Sequence, residues 1–184
     1  VETAARRSLF MCTMNPLSLL RVLLNLLSPP PKANSYIDGF NLYYRAVRKT
    51  PYKWLDLSQL CERLAPNLTV NRIRYFTALI RARSGDLQGP QRQQTYIRAL
   101  RTIPNLTVHY GQFRKRKKNR PLVSPVPGLP PYVWISDTEE KGTDVNLATY
   151  LLSDGFNKDY DRAYVISNDS DLALPIRMVR DDLS

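Results

Sequence analysis

Ala163-Tyr164-Val165-Ile166-Ser167-Asn168-Asp169-Ser170-Asp171 is an almost unbroken apolar run that delivers two acids, two residues apart, into a tight turn. Such a run predicts a strand over Ala163–Ser167 buried on both faces, the kind found in parallel sheets. Parallel strands need long crossovers, usually helices, and the flanking sequence supplies them. A helix is expected from Thr143 to about Leu152 on one side, and Leu174–Met178 opens another on the other side.

The alternation of strand and helix reaches back to Asn34. Ser35–Asp38 reads as a short strand running into a turn at Gly39. Leu57–Leu64 is a helix ending before Pro66, and Asn71–Leu79 is a β-rich run. From Gln91 to about Ile103 a helix places Tyr96, Ile97 and Leu100 at core spacing and Gln94, Arg98 and Arg101 on a polar stripe. Leu106–Phe113 is a strand that enters a run of charge, followed by a proline-rich loop, Pro121–Pro131, and a short strand over Val133–Ile135. The fold class is therefore α/β, a central parallel sheet between layers of helices.

The 184 residues, 43% hydrophobic, suffice for one domain with a buried core. Residues 1–33 differ from the rest. They carry Arg6 and Arg7, an apolar run over Leu17–Leu27 and three prolines, Pro29 to Pro31, and read as an N-terminal extension to a domain over 34–184. The apolar run is interrupted by Arg21 and falls short of the roughly 20 residues a spanning helix needs, and no A-x-A-like cleavage site follows it. No membrane is expected, and the compartment expected is the cytoplasm.

A net charge of +11 makes a polyanion the first partner to consider. Four of the 27 basic and one of the 16 acidic side chains fall in residues 1–33, so a net +8 stays with the domain. Cys12 and Cys61 support neither a disulfide framework nor a cysteine zinc site. His109 is the only histidine, which excludes paired-histidine catalysis and multi-histidine metal sites.

Four acids stand where open α/β sheets place their chemistry, outside the carboxyl ends of strands. Asp38 emerges as a strand ends in Tyr36-Ile37-Asp38-Gly39-Phe40-Asn41; taken alone, an aspartate there more often bonds its own turn. Asp144 follows Lys141-Gly142-Thr143 and, with Thr143 as helix cap, shares a stripe with Leu147, Ala148 and Leu151. Complementing the helix dipole, worth about 0.3–1 kcal/mol, explains an acid in the first turn but not on the apolar stripe. Asp169 and Asp171 repel each other unless a cation lies between them. Carboxylates without histidine or thiolate suit a hard cation, Mg2+ or Mn2+, which uses few protein carboxylates and completes its shell with water and substrate phosphate. Such an ion activates water for in-line attack on a phosphodiester.

Ile37-Asp38-Gly39-Phe40-Asn41, Lys141-Gly142-Thr143-Asp144-Val145 and Ser167-Asn168-Asp169-Ser170-Asp171, in this order, resemble the NYN domain, a PIN-like nuclease family related to the LabA-like proteins. The resemblance implies a three-layer PIN-like fold and metal-dependent cleavage of RNA. It implies Asp38, Asp144, Asp169 and Asp171 as metal ligands and Asn41 as a polar group beside the first acid; Lys141 and Ser167, within the same motifs, are expected to bind substrate. Asn168 stands where the family often has glycine and Leu172 where it often has phenylalanine, and neither change removes a ligand. The family's closing strand would follow the last helix, so residues 34–184 are expected to be a C-terminally truncated domain.

For substrate, Arg114-Lys115-Arg116-Lys117-Lys118-Asn119-Arg120 places six cations in seven positions. With Arg98 and Arg101 it is the obvious counterweight to the acids, although a charge run is usually a solvated loop. Tyr43, Tyr44, Tyr52 and Trp54 are expected to pack under a loop rather than to stack on bases. The partner expected is single-stranded RNA; a second copy of the chain and a regulatory protein are the others to consider. A silent RNA- or protein-binding module and an antitoxin-controlled ribonuclease are the rival readings. Haloacid-dehalogenase chemistry lacks its second acid, since Phe40 occupies that position, and no glycine-rich dinucleotide or P-loop motif is present.

Overall fold

The structure, a computed structural model, describes Asn15, Leu17, residues 28–82 and residues 84–183. Most of the expected N-terminal extension, including its apolar run apart from Leu17, lies outside the described residues, as does Cys12. Among the described residues no helix is long and apolar enough to cross a membrane.

In chain order the elements are β1 (Lys32–Asp38), a helical turn (Gly39–Asn41) continuing as a π-helix (Leu42–Val47), α1 (Leu57–Leu64), β2 (Thr69–Thr77), α2 (Gly89–Leu100), β3 (Leu106–Tyr110), β4 (Gln112–Pro121), β5 (Tyr132–Lys141), α3 (Thr143–Phe156), β6 (Arg162–Ile166), a 3-10 turn (Ser170–Leu172) and α4 (Ala173–Asp182). A parallel sheet of order β3-β2-β1-β6 carries helices on its faces, and β4 and β5 form a separate antiparallel ribbon. The sheet is the α/β architecture anticipated; the ribbon is not.

Period two along β1 divides the core. Ile37 joins Leu57, Cys61, Ile73, Leu100 and Leu106 on one face, whereas Tyr36 joins Phe76, Leu147, Leu151 and Leu172 on the other. β1 begins three residues before Ser35, because Ala33 already pairs with both Val70 and Arg162. β6 corrects the expectation of full burial: its residues are only partly covered, since among the described residues it is an outer strand and pairs with β1 alone. The stretch after Asp38 is helical rather than a simple turn, because the Asp38 carboxylate caps it by accepting from the Phe40 and Asn41 backbone N–H groups.

The basic run is the larger correction. Residues 112–121 are a strand, paired residue for residue with Tyr132–Lys141, and only the proline-rich connection between them is a loop. Lysine and arginine disfavour strands by themselves, but Asp137 and Glu139 across the ladder supply opposite charge, with Lys118 bonded to both.

One buried ion pair ties the layers together. Arg74 of β2 donates through Nε and Nη2 to Asp154 of α3, at 2.7 and 2.8 Å, and the Tyr36 hydroxyl of β1 donates to the same carboxylate at 2.7 Å. Both charged side chains are only 9% exposed. Burial, and then the bond to Asp154, hold the Tyr36 phenol well above its ordinary range. The Arg74 guanidinium also lies over the Tyr150 ring at 4.3 Å, and His109 stacks on Phe76 beside it.

Asp154→Ala leaves a buried guanidinium unpaired and is expected to cost about 3–5 kcal/mol in urea unfolding, whereas an Arg74→Met, Asp154→Leu double substitution returns most of that loss. His109 supplies a pH signature. Burial, then the Arg74 charge, lower its pKa from 6.5 to about 4. Between those values the unfolded chain binds a proton that the folded chain refuses, so stability falls as pH drops through this window. The difference in urea midpoint between pH 7 and pH 5 is expected to shrink in His109→Phe.

Candidate active site

Asp38 ends β1 at the carboxyl edge of the sheet and is buried. It does bond its own turn, as an aspartate before glycine should: Oδ1 accepts from the Phe40 and Asn41 N–H groups at 3.1 and 3.0 Å. Oδ2 accepts from Asn41 Nδ2 at 2.5 Å and from Ser167 Oγ, at the end of β6, at 2.9 Å. Four donors thus fix one carboxylate. Gly39 is required beside it, since a Cβ there would meet the Tyr75 ring at 2.5 Å and the Phe76 carbonyl at 2.8 Å.

Asp144 lies in the first turn of α3. The residue preceding that helix is Gly142, at φ +98°, rather than Thr143. Thr143, the first helical residue, donates through both its backbone N–H and its hydroxyl to Glu140. The helix dipole favours an acid here, but the neighbours oppose it more strongly. Burial first, then the charges of Asp38, Asp169, Glu140 and Asp171, push the Asp144 carboxyl up to about 6.

Asp169 caps the 3-10 turn, its carboxylate accepting from the Asp171 N–H at 2.9 Å, while its own N–H donates to Ser167 Oγ at 3.1 Å. Ser167 therefore bridges Asp38 and Asp169.

These elements enclose a cavity of about 370 Å³ walled by Asp38, Asn41, Asp144, Asp169, Glu140 and Thr143 on its polar side and by Phe40, Tyr44 and Phe113 on its apolar side. Three of the four expected acids share that wall. Asp171 is exposed and outside it, although its charge reaches Asp144. Glu140 belongs to the wall and is not among the expected acids; its signal is that strand β5 continues past Ile135 and its alternation sets Glu140, opposite Phe113, on the cavity side. Among the described residues no three His, Cys, Asp or Glu side chains stand close enough to hold one ion as they are. The donors themselves are hard oxygens, and their mutual repulsion at Asp144 is of the kind a divalent cation relieves, so the residue set fits Mg2+ or Mn2+.

The expected substrate contacts scatter. Arg98 lies exposed on α2 and Arg101 exposed just past its end, and neither lines the cavity; Arg101 donates to the Tyr110 hydroxyl at 3.1 Å. Lys118 is committed to Asp137 and Glu139, and Lys141 stands 3.9 Å from Glu139. Arg114, Lys115, Arg116 and Lys117 are exposed along β4. Tyr43, Tyr44 and Trp54 wall a second cavity of about 180 Å³ that shares Phe40, Tyr44 and Ile80 with the first; Tyr44 and Trp54 are also exposed, and Tyr52 is exposed outside both cavities.

Among known proteins, the NYN domain family model matches residues 32–183. A Pseudomonas putida protein named 6-hydroxy-3-succinoylpyridine 3-monooxygenase is 34% identical over 181 residues, covering 83% of this chain and 57% of its own length. The chain thus spans little more than half of that relative. A crystal structure of a protein of unknown function from Vibrio parahaemolyticus aligns with a TM-score of 0.49 at 16% identity, covering 84% of this chain and 76% of the other.

Gly39→Ala is expected to lower stability by about 1–3 kcal/mol, the scale of overpacking in a filled site. Its urea midpoint relative to the parent checks this.

Proposed function

Because the chain belongs to the NYN domain family, we propose that it is a metal-dependent ribonuclease hydrolysing RNA phosphodiester bonds. The family is nuclease-like, and one observation carries the finer reading: Asp38, Asp144 and Asp169, from three elements distant in sequence, line one cavity. Carboxylates gathered without a counter-charge are unfavourable, and a divalent ion gives them a purpose.

Asp38, Asp144 and Asp169 line the cavity and would have to draw closer together than they stand to hold the ion, with Asp171, outside the wall, adding its charge. The ion would supply Lewis-acid stabilisation of charge on the phosphate and activation of water. Asn41 and Ser167 keep the Asp38 carboxylate oriented through their 2.5 and 2.9 Å bonds. Phe40, Tyr44 and Phe113 exclude bulk water from one side of the cavity, which strengthens electrostatic interactions inside it.

The relative named as a monooxygenase supports a second reading, oxidation of a hydroxylated pyridine, for which the adjoining aromatic cavity bounded by Tyr43, Tyr44, Trp54, Tyr75 and Tyr96 offers a ring-sized space. Incubation with 6-hydroxy-3-succinoylpyridine, O2 and a reductant, followed by the loss of substrate absorbance, tests it.

On single-stranded RNA with Mg2+, the parent is expected to cleave and EDTA to stop it. Asp144→Asn is expected to lose about 10²-fold or more in rate, the scale of removing one charge-stabilising group from such a site, while still binding RNA. Equal cleavage by parent and Asp144→Asn, or cleavage indifferent to EDTA, rejects the ribonuclease reading.

A further inference from the structure

The β4–β5 ribbon divides its charges between two faces. Side chains alternate along each strand, and residues directly opposite across an antiparallel ladder share a face. Arg114 faces Glu139, Arg116 faces Asp137 and Lys118 faces Ile135 on one side; Phe113 faces Glu140, Lys115 faces Thr138, Lys117 faces Ser136 and Asn119 faces Trp134 on the other.

The first side carries Arg114, Arg116, Lys118, Arg120 and Lys141 with two acids, Asp137 and Glu139, and none of its residues lines the acid cavity. Lys118 is bonded to Asp137 and Glu139, and Lys141 lies beside Glu139. The second side begins at the acid cavity, since Phe113 and Glu140 are part of its wall. Beyond Glu140 it holds no acid: Lys115 and Lys117 are exposed and, among the described residues, form no ion pair. It ends at Trp134 and Tyr132, 71% and 55% exposed, and among the described residues no ring stacks on either. From Phe113 to Asn119 the strand extends about 20 Å.

We propose that this second face is the track along which a single-stranded polynucleotide enters the acid cavity, Lys115 and Lys117 taking phosphates and Trp134 and Tyr132 stacking on bases. The proposal rests on the ribonuclease reading for the cavity at its end. An acid-walled cavity repels a phosphate backbone, and uncompensated cations beside it offset that repulsion. Exposed rings interleaved with lysines are the chemistry that holds single strands irrespective of sequence, because every base has a π-face. Bases within a duplex are stacked on one another and leave such rings without a partner.

Binding to a fluorescein-labelled single-stranded RNA, read by anisotropy as a function of salt, tests this on the full chain in an Asp144→Asn background with EDTA present, which together suppress cleavage. The Lys115→Gln, Lys117→Gln pair is expected to lower the slope of log K against log salt by about 1.4, from about 0.7 per phosphate contact on a single strand. The Arg114→Gln, Arg116→Gln pair, on the other face, is expected to lower it by less than half as much. Trp134→Leu is expected to weaken binding roughly 5- to 150-fold, the range measured for one stacked base, with the slope unchanged. Equal slope changes from the two pairs, binding indifferent to Trp134→Leu, or duplex bound more tightly than single strand each overturn the track. If binding behaves as expected but the parent does not cleave, the track stands and the ribonuclease reading fails; if the parent cleaves and none of these binding effects is seen, the ribonuclease reading stands and the track fails.

Discussion

The Arg74–Asp154 pair, with Tyr36 bonded to the same carboxylate, is the constraint on which the site depends. Two ions taken out of water are costly, and only close geometry with every polar atom bonded offsets that cost. Here both guanidinium bonds are short, and a third donor comes from the central strand. The pair joins β2 to α3, and Tyr36 joins both to β1. Asp144 lies ten residues before Asp154 on the same helix, about 15 Å along its axis. Fixing one end of α3 against the sheet therefore fixes the other end, with its acid, over the carboxyl edges of β1 and β6.

That placement creates electrostatic conflict, unevenly shared. Asp38 is supported by four hydrogen bonds, two from backbone and two from side chains. Asp169 is tied to the backbone of its own turn. Among the described residues no hydrogen bond reaches the Asp144 carboxyl, and it is there that burial and neighbouring charge raise the cost of ionisation. The fold thus orders the first acid tightly and leaves Asp144 in need of positive charge.

What was legible in the sequence follows from what has a local signature. α1 matches its expected range, Leu57–Leu64, because Asp56 caps it and Leu57 and Cys61 repeat at helical spacing. The convergence of Asp38, Asp144 and Asp169 was legible because each ends or begins an element with clear periodicity. β4 was not, since a run of lysine and arginine has no apolar period, and its strand character comes from a partner whose own second half, Ser136–Lys141, is equally polar. The helix after Gly39 was hidden because its start depends on a cap made by Asp38, which the glycine that follows it disguises as a turn. Partial exposure of β6 was hidden because composition records apolar character, not which strand stands at the edge.

The net charge of +11 is a poor guide to where a phosphate would bind, because charge acts locally. At physiological ionic strength screening sets in over about 8 Å, so cations distributed over α2 and both faces of the ribbon cannot all act on one phosphate near the acids. Pairing narrows the set further: Lys118 is matched within the ribbon, and Lys141 lies beside the same Glu139. Lys115 and Lys117 differ by facing the same way as Phe113 and Glu140, which belong to the cavity wall. A single-residue slip of register would turn these lysines to the opposite face and bring Arg114 and Arg116 to the cavity side. The pairing of Asp137 and Glu139 with Lys118 resists that slip, so these two acids also determine which cations face the cavity side.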